Sequence, residues 1–227
     1  MTITASSKSN HAPARTEVLE YTAERISAID GRRIIVAIDG VDGSGKTNFA
    51  DELAPLIRAR GRHVVRAGVD GFHHPRRIRY RRGRDSPDGF FRDSYDYDAL
   101  KRDLLAPFRA GERGVRTVRF DHRTDRPVPS PPLAVDETST LILDGIFLHR
   151  DELAGWWDMS IYLDVPFSVS YARMAARDGS DPDPGAPSNR RYLEGQRLYL
   201  RHCAPLERAS LVIDNRLIEA PRVVRAP

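Results

Sequence analysis

The sequence predicts an α/β domain built around a parallel β-sheet, and three observations support this prediction. Short runs of β-branched and aliphatic residues, such as residues 33–38 and 140–144, recur along the chain. Runs of this kind are typical of strands buried on both faces of a parallel sheet. Segments with helical periodicity separate the runs, and a glycine-rich turn follows the first of them. This alternation indicates crossover connections that place helices on both faces of the sheet.

The elements can be assigned in order. We predict five strands, at residues 33–38, 63–69, 140–144, 159–163 and 211–214. The helices are predicted at residues 16–28, 46–60, 95–110 and 189–202, with one more after the fourth strand that ends near residue 177. A further short strand is a candidate at residues 114–120, and residues 179–188 read as a loop.

The composition is that of a soluble globular protein. The chain has 227 residues, of which 40% are hydrophobic and 30% are charged. No apolar run approaches the roughly 20 residues that span a bilayer, and the first fifteen residues lack the apolar stretch of a signal peptide. The single cysteine, Cys203, cannot form an internal disulfide. We therefore expect a disordered tail at residues 1–15, one folded domain at residues 16–227 and a cytoplasmic location.

A complete phosphate-binding motif follows the first predicted strand. The pattern G-x-x-x-x-G-K-[ST] is matched in full by Gly40, Val41, Asp42, Gly43, Ser44, Gly45, Lys46 and Thr47. The glycines let backbone N–H groups turn towards a phosphate, and the positive end of the following helix points at the same anion. The lysine would reach the β- and γ-phosphates, and the threonine hydroxyl would bind Mg²⁺. The motif therefore predicts a P-loop NTPase fold that binds ATP.

A second acidic group is expected at the same site. Asp144 ends the apolar run at residues 140–144. P-loop proteins need a carboxylate at the end of a neighbouring strand to hold Mg²⁺, directly or through water. Thr47 and Asp144 are therefore the predicted metal-binding residues.

Several further motifs, in the same order along the chain, resemble the uridine kinase and phosphoribulokinase branch of the P-loop kinases. Residues 69–73 resemble its Asp-x-Phe motif, residues 85–90 its Asp-His-Pro-Asp-Ala-Phe segment, and residues 143–147 its Glu-Gly-Ile-Leu segment. Arg173 and Arg177 resemble the start of its arginine-rich lid. The resemblance runs from about residue 34 to residue 215 and implies a five-stranded parallel sheet with a small lid at about residues 173–191.

The resemblance also implies roles for individual residues. Asp70 would be the general base for the acceptor hydroxyl, and Asp85 would bind sugar hydroxyls. Arg173 and Arg177, four residues apart on one helix face, would close over the β- and γ-phosphates. Together with Lys46 these arginines and Asp70 are the predicted catalytic residues. The predicted acceptor site consists of Asp85, Phe72, His73, Phe120, Asp125 and Gln196.

The acceptor is the open part of this interpretation. Uridine kinases read the base with a Tyr-Asp-Phe-x-x-His-x-Arg segment, and here Phe120 replaces the tyrosine and Asp125 the histidine. The leading interpretation is a phosphotransferase that moves the γ-phosphate of ATP to a nucleoside hydroxyl. Pantothenate, a sugar, a sugar phosphate or a nucleotide are alternative acceptors, and a regulatory NTPase is an alternative class.

The strongest cluster of positive charge lies at residues 76–84. Three roles are open for this cluster: a solvated loop, a recognition site for an anionic acceptor, or a nucleic-acid-binding surface. The net charge of +4 and the pI of about 9.4 also suit a protein that handles phosphates. Arginine dominates the basic residues throughout the chain, so we expect ATP and a small acceptor as partners, without nucleic acid or membrane. The sequence leaves a homo-oligomer open.

Overall fold

The computed structural model describes residues 12–112 and 114–226. Residues 1–11, which form most of the predicted N-terminal tail, lie outside the described residues. The first helix begins at Ala12 instead of Thr16, so the last residues of the predicted tail belong to this helix.

Helices and strands alternate as the sequence predicts. The helices are α1 (Ala12–Ser27), α2 (Lys46–Ala59), α3 (Arg76–Arg79), α4 (Pro87–Asp93), α5 (Tyr97–Leu100), α6 (Ala106–Ala110), α7 (Phe167–Asp178), α8 (Arg190–Cys203) and α9 (Pro205–Arg208). The strands are β1 (Ile34–Gly40), β2 (His63–Gly68), β3 (Gly114–Val115), β4 (Phe120–Asp121), β5 (Arg126–Pro127), β6 (Leu133–Ala134), β7 (Ser139–Asp144), β8 (Met159–Asp164), β9 (Leu211–Asp214) and β10 (Arg222–Arg225). A π-turn at Lys101–Leu105 joins α5 to α6. Within the described ranges, no helix combines the length and the hydropathy needed to cross a membrane.

A six-stranded sheet in the order β10-β9-β8-β1-β7-β2 forms the centre of the fold. The five strands from β9 to β2 are parallel to their neighbours, whereas β10 is antiparallel to β9. The structure thus confirms the predicted P-loop fold and its five parallel strands, and adds a sixth strand at one edge. β10 is short and begins and ends with arginine. Charged residues protect an edge strand from further pairing, but they leave no apolar run to detect in a sequence.

Both faces of the sheet are buried. On one face the side chains of α1 and α2 pack against it, and Ile26 and Phe49 are completely buried there. On the other face lies a cluster rich in aromatic residues, including Phe108 and Phe147. All seven residues of β1 are buried, which explains why its sequence is apolar from residue 34 to residue 38.

The connection between β2 and β7 contains helices and two small antiparallel ladders. The strand predicted at residues 114–120 is present only as the two-residue strands β3 and β4. These strands pair with β6 and β5, which both come from a proline-rich segment. Because proline has no N–H group to donate, the segment does not support a longer ladder.

The carboxyl ends of β1, β2 and β7 meet at one edge of the sheet. Ile38 of β1 and Gly68 of β2 both lie in register with Asp144 of β7. The phosphate-binding loop starts where β1 ends, and Asp70 follows β2 in a 3₁₀ turn. The parallel topology therefore brings three motifs that are distant in sequence to the same edge, where α/β proteins bind ligands.

Candidate active site

The phosphate-binding loop, residues 40–47, connects β1 to α2. Gly43 and Gly45 have φ angles of 70° and 89°, in the left-handed region that favours glycine. A Cβ atom on Gly43 would lie 2.5 Å from the backbone O of Ser170 in α7. On the other side, Nδ2 of Asn215 donates to the backbone O of Ser44 at 2.8 Å. The loop is therefore held between α7 and the residue that follows β9.

Lys46 and Thr47 begin α2 and place their polar groups beside the loop. Nζ of Lys46 donates to the backbone O of Val41 at 2.7 Å, so its charge lies at the loop itself. Oγ1 of Thr47 donates to Oδ2 of Asp144 at 2.7 Å. Arg66, which the sequence did not single out, contacts Oδ1 of the same carboxylate at 3.0 Å.

The oxygen atoms of Thr47 and Asp144 suit a magnesium ion that arrives with a nucleotide. Mg²⁺ prefers oxygen ligands and usually binds through one or two protein groups, with phosphates and water completing the octahedron. Across residues 12–112 and 114–226, no three His, Cys, Asp or Glu side chains are grouped so that they could hold a metal by themselves. The donor set therefore fits Mg²⁺ held jointly by protein, phosphate and water.

These groups line one cavity of about 560 Å³. Most of the predicted phosphate and catalytic residues reach it, namely Asp42, Gly43, Gly45, Lys46, Thr47, Asp70, Asp144, Arg173 and Arg177. Its wall also contains residues that the sequence did not single out, namely Asn48, Tyr95, Met174 and Ile218. The phosphate-binding loop and Asp70 therefore face the same space.

Tyr95 holds the Asp70 side chain by a hydrogen bond. Its hydroxyl donates to Oδ1 of Asp70 at 2.9 Å, and its ring is buried. An antiparallel bridge between His73 and Tyr95 joins the two backbone segments. Burial, and then the negative charges of Asp70 and Asp42, raise the pKa of Tyr95 well above its usual value. Tyr95 therefore remains a hydrogen-bond donor to Asp70 at all physiological pH values.

Gln196 contacts the phosphate-binding loop instead of the open cavity. Its side chain is 1% exposed and does not line the cavity. Its Oε1 accepts from the backbone N–H of Asp42 at 2.8 Å, and its Nε2 donates to Oδ2 of Asp42 at 3.3 Å. Burial raises the pKa of the Asp42 carboxyl, and the charge of Lys46 partly opposes this effect.

Phe72 and His73 lie beside the cavity without lining it. Phe72 is 1% exposed and belongs to the hydrophobic core. The His73 ring packs between the rings of Tyr95 and His122, with both centroid distances at 4.5 Å. Burial lowers the pKa of His73 to about 4, so the ring is neutral at pH 7. His122, which is out of register with the histidine of the uridine kinase pattern, thus packs in the same group.

Three other predicted acceptor residues lie outside the cavity wall. Asp85 is exposed in the loop that precedes α4. Phe120 is in β4, where it pairs with Pro127. Oδ1 of Asp125 accepts from the backbone N–H of Arg76 at 2.8 Å. The structure thus brings Asp70 to the nucleotide site but leaves the predicted base-reading positions engaged elsewhere.

The two predicted lid arginines project from α7 into the cavity wall. Nη2 of Arg173 donates to the backbone O of Asn215 at 2.9 Å. Nη2 of Arg177 donates to Asp178 at 2.8 Å, and the Arg177 side chain is 68% exposed. Arg177 therefore contacts its own helix end, whereas the contacts of Arg173 join α7 to the residues that follow β9.

Several arginine side chains of the basic run at residues 76–84 contact other parts of the protein. Arg81 and Arg82 both pair with Asp93, a carboxylate that is almost fully buried. Nε of Arg79 donates to the backbone O of His74 at 2.7 Å. These contacts show that much of the charge cluster has partners inside the protein.

A buried polar network under the loop was also not predicted from the sequence. Oδ2 of Asp39 accepts from Nδ1 of His149 at 2.7 Å and from the backbone N–H of Leu148 at 3.1 Å. The hydroxyl of Tyr199 in α8 donates to the same oxygen. Asp39 directly precedes the loop, so this network connects the start of the loop to α8. Its only sequence signal is an aspartate within an otherwise apolar run.

Comparison with protein families agrees with this geometry. Residues 35–182 match the model of the phosphoribulokinase / uridine kinase family, a range that includes the phosphate-binding loop, Asp70 and Asp144. The chain belongs to this family. Family membership makes the protein an ATP-dependent kinase with a small-molecule acceptor, and identifies the loop as a nucleotide-binding P-loop.

Individual relatives of this kinase are described with different acceptors. A pantothenate kinase from Bradyrhizobium sp. is 28% identical and covers 90% of this chain and 71% of its own length. A pantothenate kinase from Agrobacterium fabrum is 30% identical, but the matched part is 58% of this chain and 44% of that enzyme. A solved structure described as a possible uridine kinase from Bacillus stearothermophilus has a TM-score of 0.69 at 24% identity, covering 87% of this chain and 97% of the other. That likeness establishes the fold.

Proposed function

We propose that this kinase transfers the γ-phosphoryl group of MgATP to a hydroxyl group of pantothenate, or of a closely similar hydroxy compound. The observation that carries the proposal is that Lys46, the Thr47–Asp144 pair and Asp70 line the same cavity. The first two bind and orient a metal-bound triphosphate in other P-loop proteins. A further carboxylate in the same cavity, Asp70, can orient an attacking hydroxyl group and accept its proton.

In the proposed reaction, Asp70 accepts the proton of the acceptor hydroxyl. The hydroxyl oxygen forms a bond to the γ-phosphorus, the bond from that phosphorus to the bridging oxygen breaks, and ADP leaves with the electron pair. Because phosphoryl transfer has a loose transition state, orientation of the hydroxyl by Asp70 contributes as much as removal of its proton. Tyr95 acts through Asp70 as a positioning residue, since its hydroxyl holds one carboxylate oxygen.

The positive groups of the cavity would stabilise the phosphates. Lys46 and the backbone N–H groups of the loop would contact the β- and γ-phosphates. Mg²⁺ held beside Thr47 and Asp144 would neutralise charge on the same oxygens. Arg177, exposed and at the cavity wall, would close onto the γ-phosphate, whereas Arg173 is held at the same wall by its contact with Asn215.

Pantothenate is favoured as the acceptor by two observations. The curated relatives with detectable sequence similarity include pantothenate kinases. The positions that would read a nucleobase, Phe120 and Asp125, do not line the cavity, and Asp125 is bonded to Arg76. Uridine or cytidine is the second candidate, supported by the order of the motifs and by the likeness to a possible uridine kinase.

An acceptor panel tests this proposal. Purified protein is incubated with MgATP and pantothenate, uridine, cytidine, ribose or a sugar phosphate, and both ADP and the phosphorylated product are measured. We expect product with pantothenate, and loss of about 10²-fold or more in kcat for Asp70→Asn while MgATP still binds.

Lys46→Ala is the matched control for nucleotide binding, which it should weaken in calorimetry. Product with a nucleoside alone would replace pantothenate by the second candidate. ATP hydrolysis that no acceptor stimulates would instead support a regulatory NTPase.

A further inference from the structure

We infer that Asp42 is an acceptor-binding residue whose carboxyl receives a second hydroxyl group, next to the hydroxyl that Asp70 orients. The acceptor would then be a diol or polyol that is uncharged at its reacting end. This inference rests on the proposed kinase function and narrows its substrate class.

Asp42 is the acidic side chain of the phosphate-binding loop. Its neighbours Val41 and Ser44 are buried, whereas Asp42 lines the cavity together with Lys46, Asp70 and Tyr95. A carboxylate in a loop that binds phosphate opposes the anion electrostatically. The backbone N–H groups of the loop bind phosphate without a side chain at this position. We therefore infer that the Asp42 carboxyl serves a ligand group other than the phosphate.

Gln196 sets the orientation of this carboxyl. It accepts from the Asp42 backbone and donates to Oδ2, and it is itself buried. Among the contacts of the described residues, Oδ1 of Asp42 has no protein donor. A carboxyl oxygen that is oriented by a buried amide, at the wall of a cavity, is suited to accept a hydrogen bond from a ligand.

Asp42 and Asp70 line the same cavity. Tyr95, whose hydroxyl is bonded to Asp70, lines it as well. Two hydrogen-bond acceptors of negative charge favour a ligand that offers donors and carries no negative charge. The positive side chains Lys46, Arg173 and Arg177 line the same cavity, and the charges of Lys46 and Arg177 partly oppose the rise in the pKa of the Asp42 carboxyl.

This arrangement discriminates among the acceptors that kinases of this fold could use. Pantothenate carries a secondary hydroxyl near its primary hydroxyl, and the 3′-hydroxyl of a ribosyl group stands in the same relation to its 5′-hydroxyl, so both compounds offer a second donor. A phosphate monoester next to the reacting hydroxyl would instead meet Asp42 and be repelled. The inference therefore predicts neutral diols as substrates at this end and disfavours sugar phosphates and nucleotides.

The test compares each acceptor with its analogue that lacks one hydroxyl. Pantothenate is compared with the analogue without the secondary hydroxyl, and uridine with 2′-deoxyuridine and 3′-deoxyuridine. We expect the wild-type protein to prefer the diol by about 10- to 100-fold in kcat/KM, because the analogue leaves a charged acceptor without a donor. Asp42→Ala should remove this preference, and Asp42→Asn should reduce it, since an amide oxygen is a weaker acceptor than a carboxylate.

Two controls separate the possible outcomes. Asp98→Ala removes an exposed carboxylate that pairs with Lys101 and should leave the preference unchanged. Calorimetry with MgATP shows whether each Asp42 variant keeps a folded loop, and Asp42→Asn decides the matter if Asp42→Ala loses nucleotide binding. A wild-type preference that is undiminished in Asp42→Asn with intact MgATP binding overturns the inference while the kinase function stands. Absence of phosphorylation of every acceptor by the wild-type protein overturns both.

Discussion

Asp70 and Tyr95 form the side-chain contact that would affect turnover most directly. We predict that Tyr95→Phe lowers kcat by about tenfold, because one net hydrogen bond to a charged group is lost, and leaves the KM for ATP nearly unchanged. Steady-state kinetics with the acceptor found in the panel measure both values. The substitution deletes one oxygen atom and keeps the ring that packs against His73.

Tyr97→Phe is the matched control for this prediction. Tyr97 is also buried, but its hydroxyl donates to the backbone O of Phe147 at 3.2 Å and does not line the cavity. We expect it to reduce the free energy of unfolding without a change in kcat. Equal kcat values for Tyr95→Phe and the wild type would exclude a positioning role for Tyr95.

His73 makes the stability of the protein depend on pH. Its pKa is lowered to about 4 in the folded state, below the value of about 6.5 for a free histidine. The unfolded chain therefore binds more protons than the folded one between these values, and stability is lost as the pH falls from about 6.5 to about 4. The contribution of this residue reaches up to about 3 kcal/mol at the acid end.

Urea unfolding at pH 7 and pH 4.5 tests this assignment. We expect the wild type to lose more stability between the two pH values than His73→Gln, since glutamine does not titrate. Other groups titrate in the same window, so the difference between the two proteins is the informative quantity. Parallel losses in both proteins would show that His73 does not carry the effect.

The helices that touch the phosphate-binding loop determine its shape at the element scale. The first residues of α7 approach Gly43 so closely that a Cβ atom there would lie 2.5 Å from the backbone O of Ser170. We predict that Gly43→Ala weakens MgATP binding by about tenfold or more, because either the loop or α7 must move. Isothermal titration calorimetry measures the dissociation constant.

Gly61→Ala is the control that separates the effect of the close contact with α7 from the effect of the left-handed backbone conformation. Gly61 also has a positive φ, 83°, but a Cβ atom there would meet no atom within 4 Å. This variant should lose about 1 kcal/mol of stability from the left-handed conformation alone, with MgATP binding unchanged. If both variants bound MgATP like the wild type, the close approach of α7 would have no influence on the loop.

α8 connects the phosphate-binding loop to the rest of the molecule from the opposite side. Gln196 and Tyr199, one turn apart on this helix, contact Asp42 and Asp39 on either side of the start of the loop. The sequence placed Gln196 in the acceptor site, because a similar residue occurs near that position in the resembling family. The spacing of the two residues indicates a common helix face, but not which part of the site that face meets.

At the scale of the whole molecule, the parallel sheet is the feature that sequence analysis predicted best. Parallel strands buried on both faces favour apolar residues along most of their length, and β1, β7 and β8 show this in runs such as residues 34–38 and 141–143. The edge strand β10 was missed and the strand at residues 114–120 was predicted too long. In both regions pairing depends on a distant partner instead of a local pattern.

The sequence by itself determined the nucleotide half of this protein. A P-loop is a contiguous motif, so its glycines, lysine and threonine are close in space because they are close in sequence. The proposed acceptor half rests mainly on the tertiary structure. This half draws on three separate segments of the chain. Tyr95 orients the carboxylate of Asp70, and Gln196 orients the carboxylate of Asp42. Only the packing of these segments shows both contacts. Side-chain contacts between distant segments depend on how helices lie on the sheet, and no local pattern of residues encodes that arrangement.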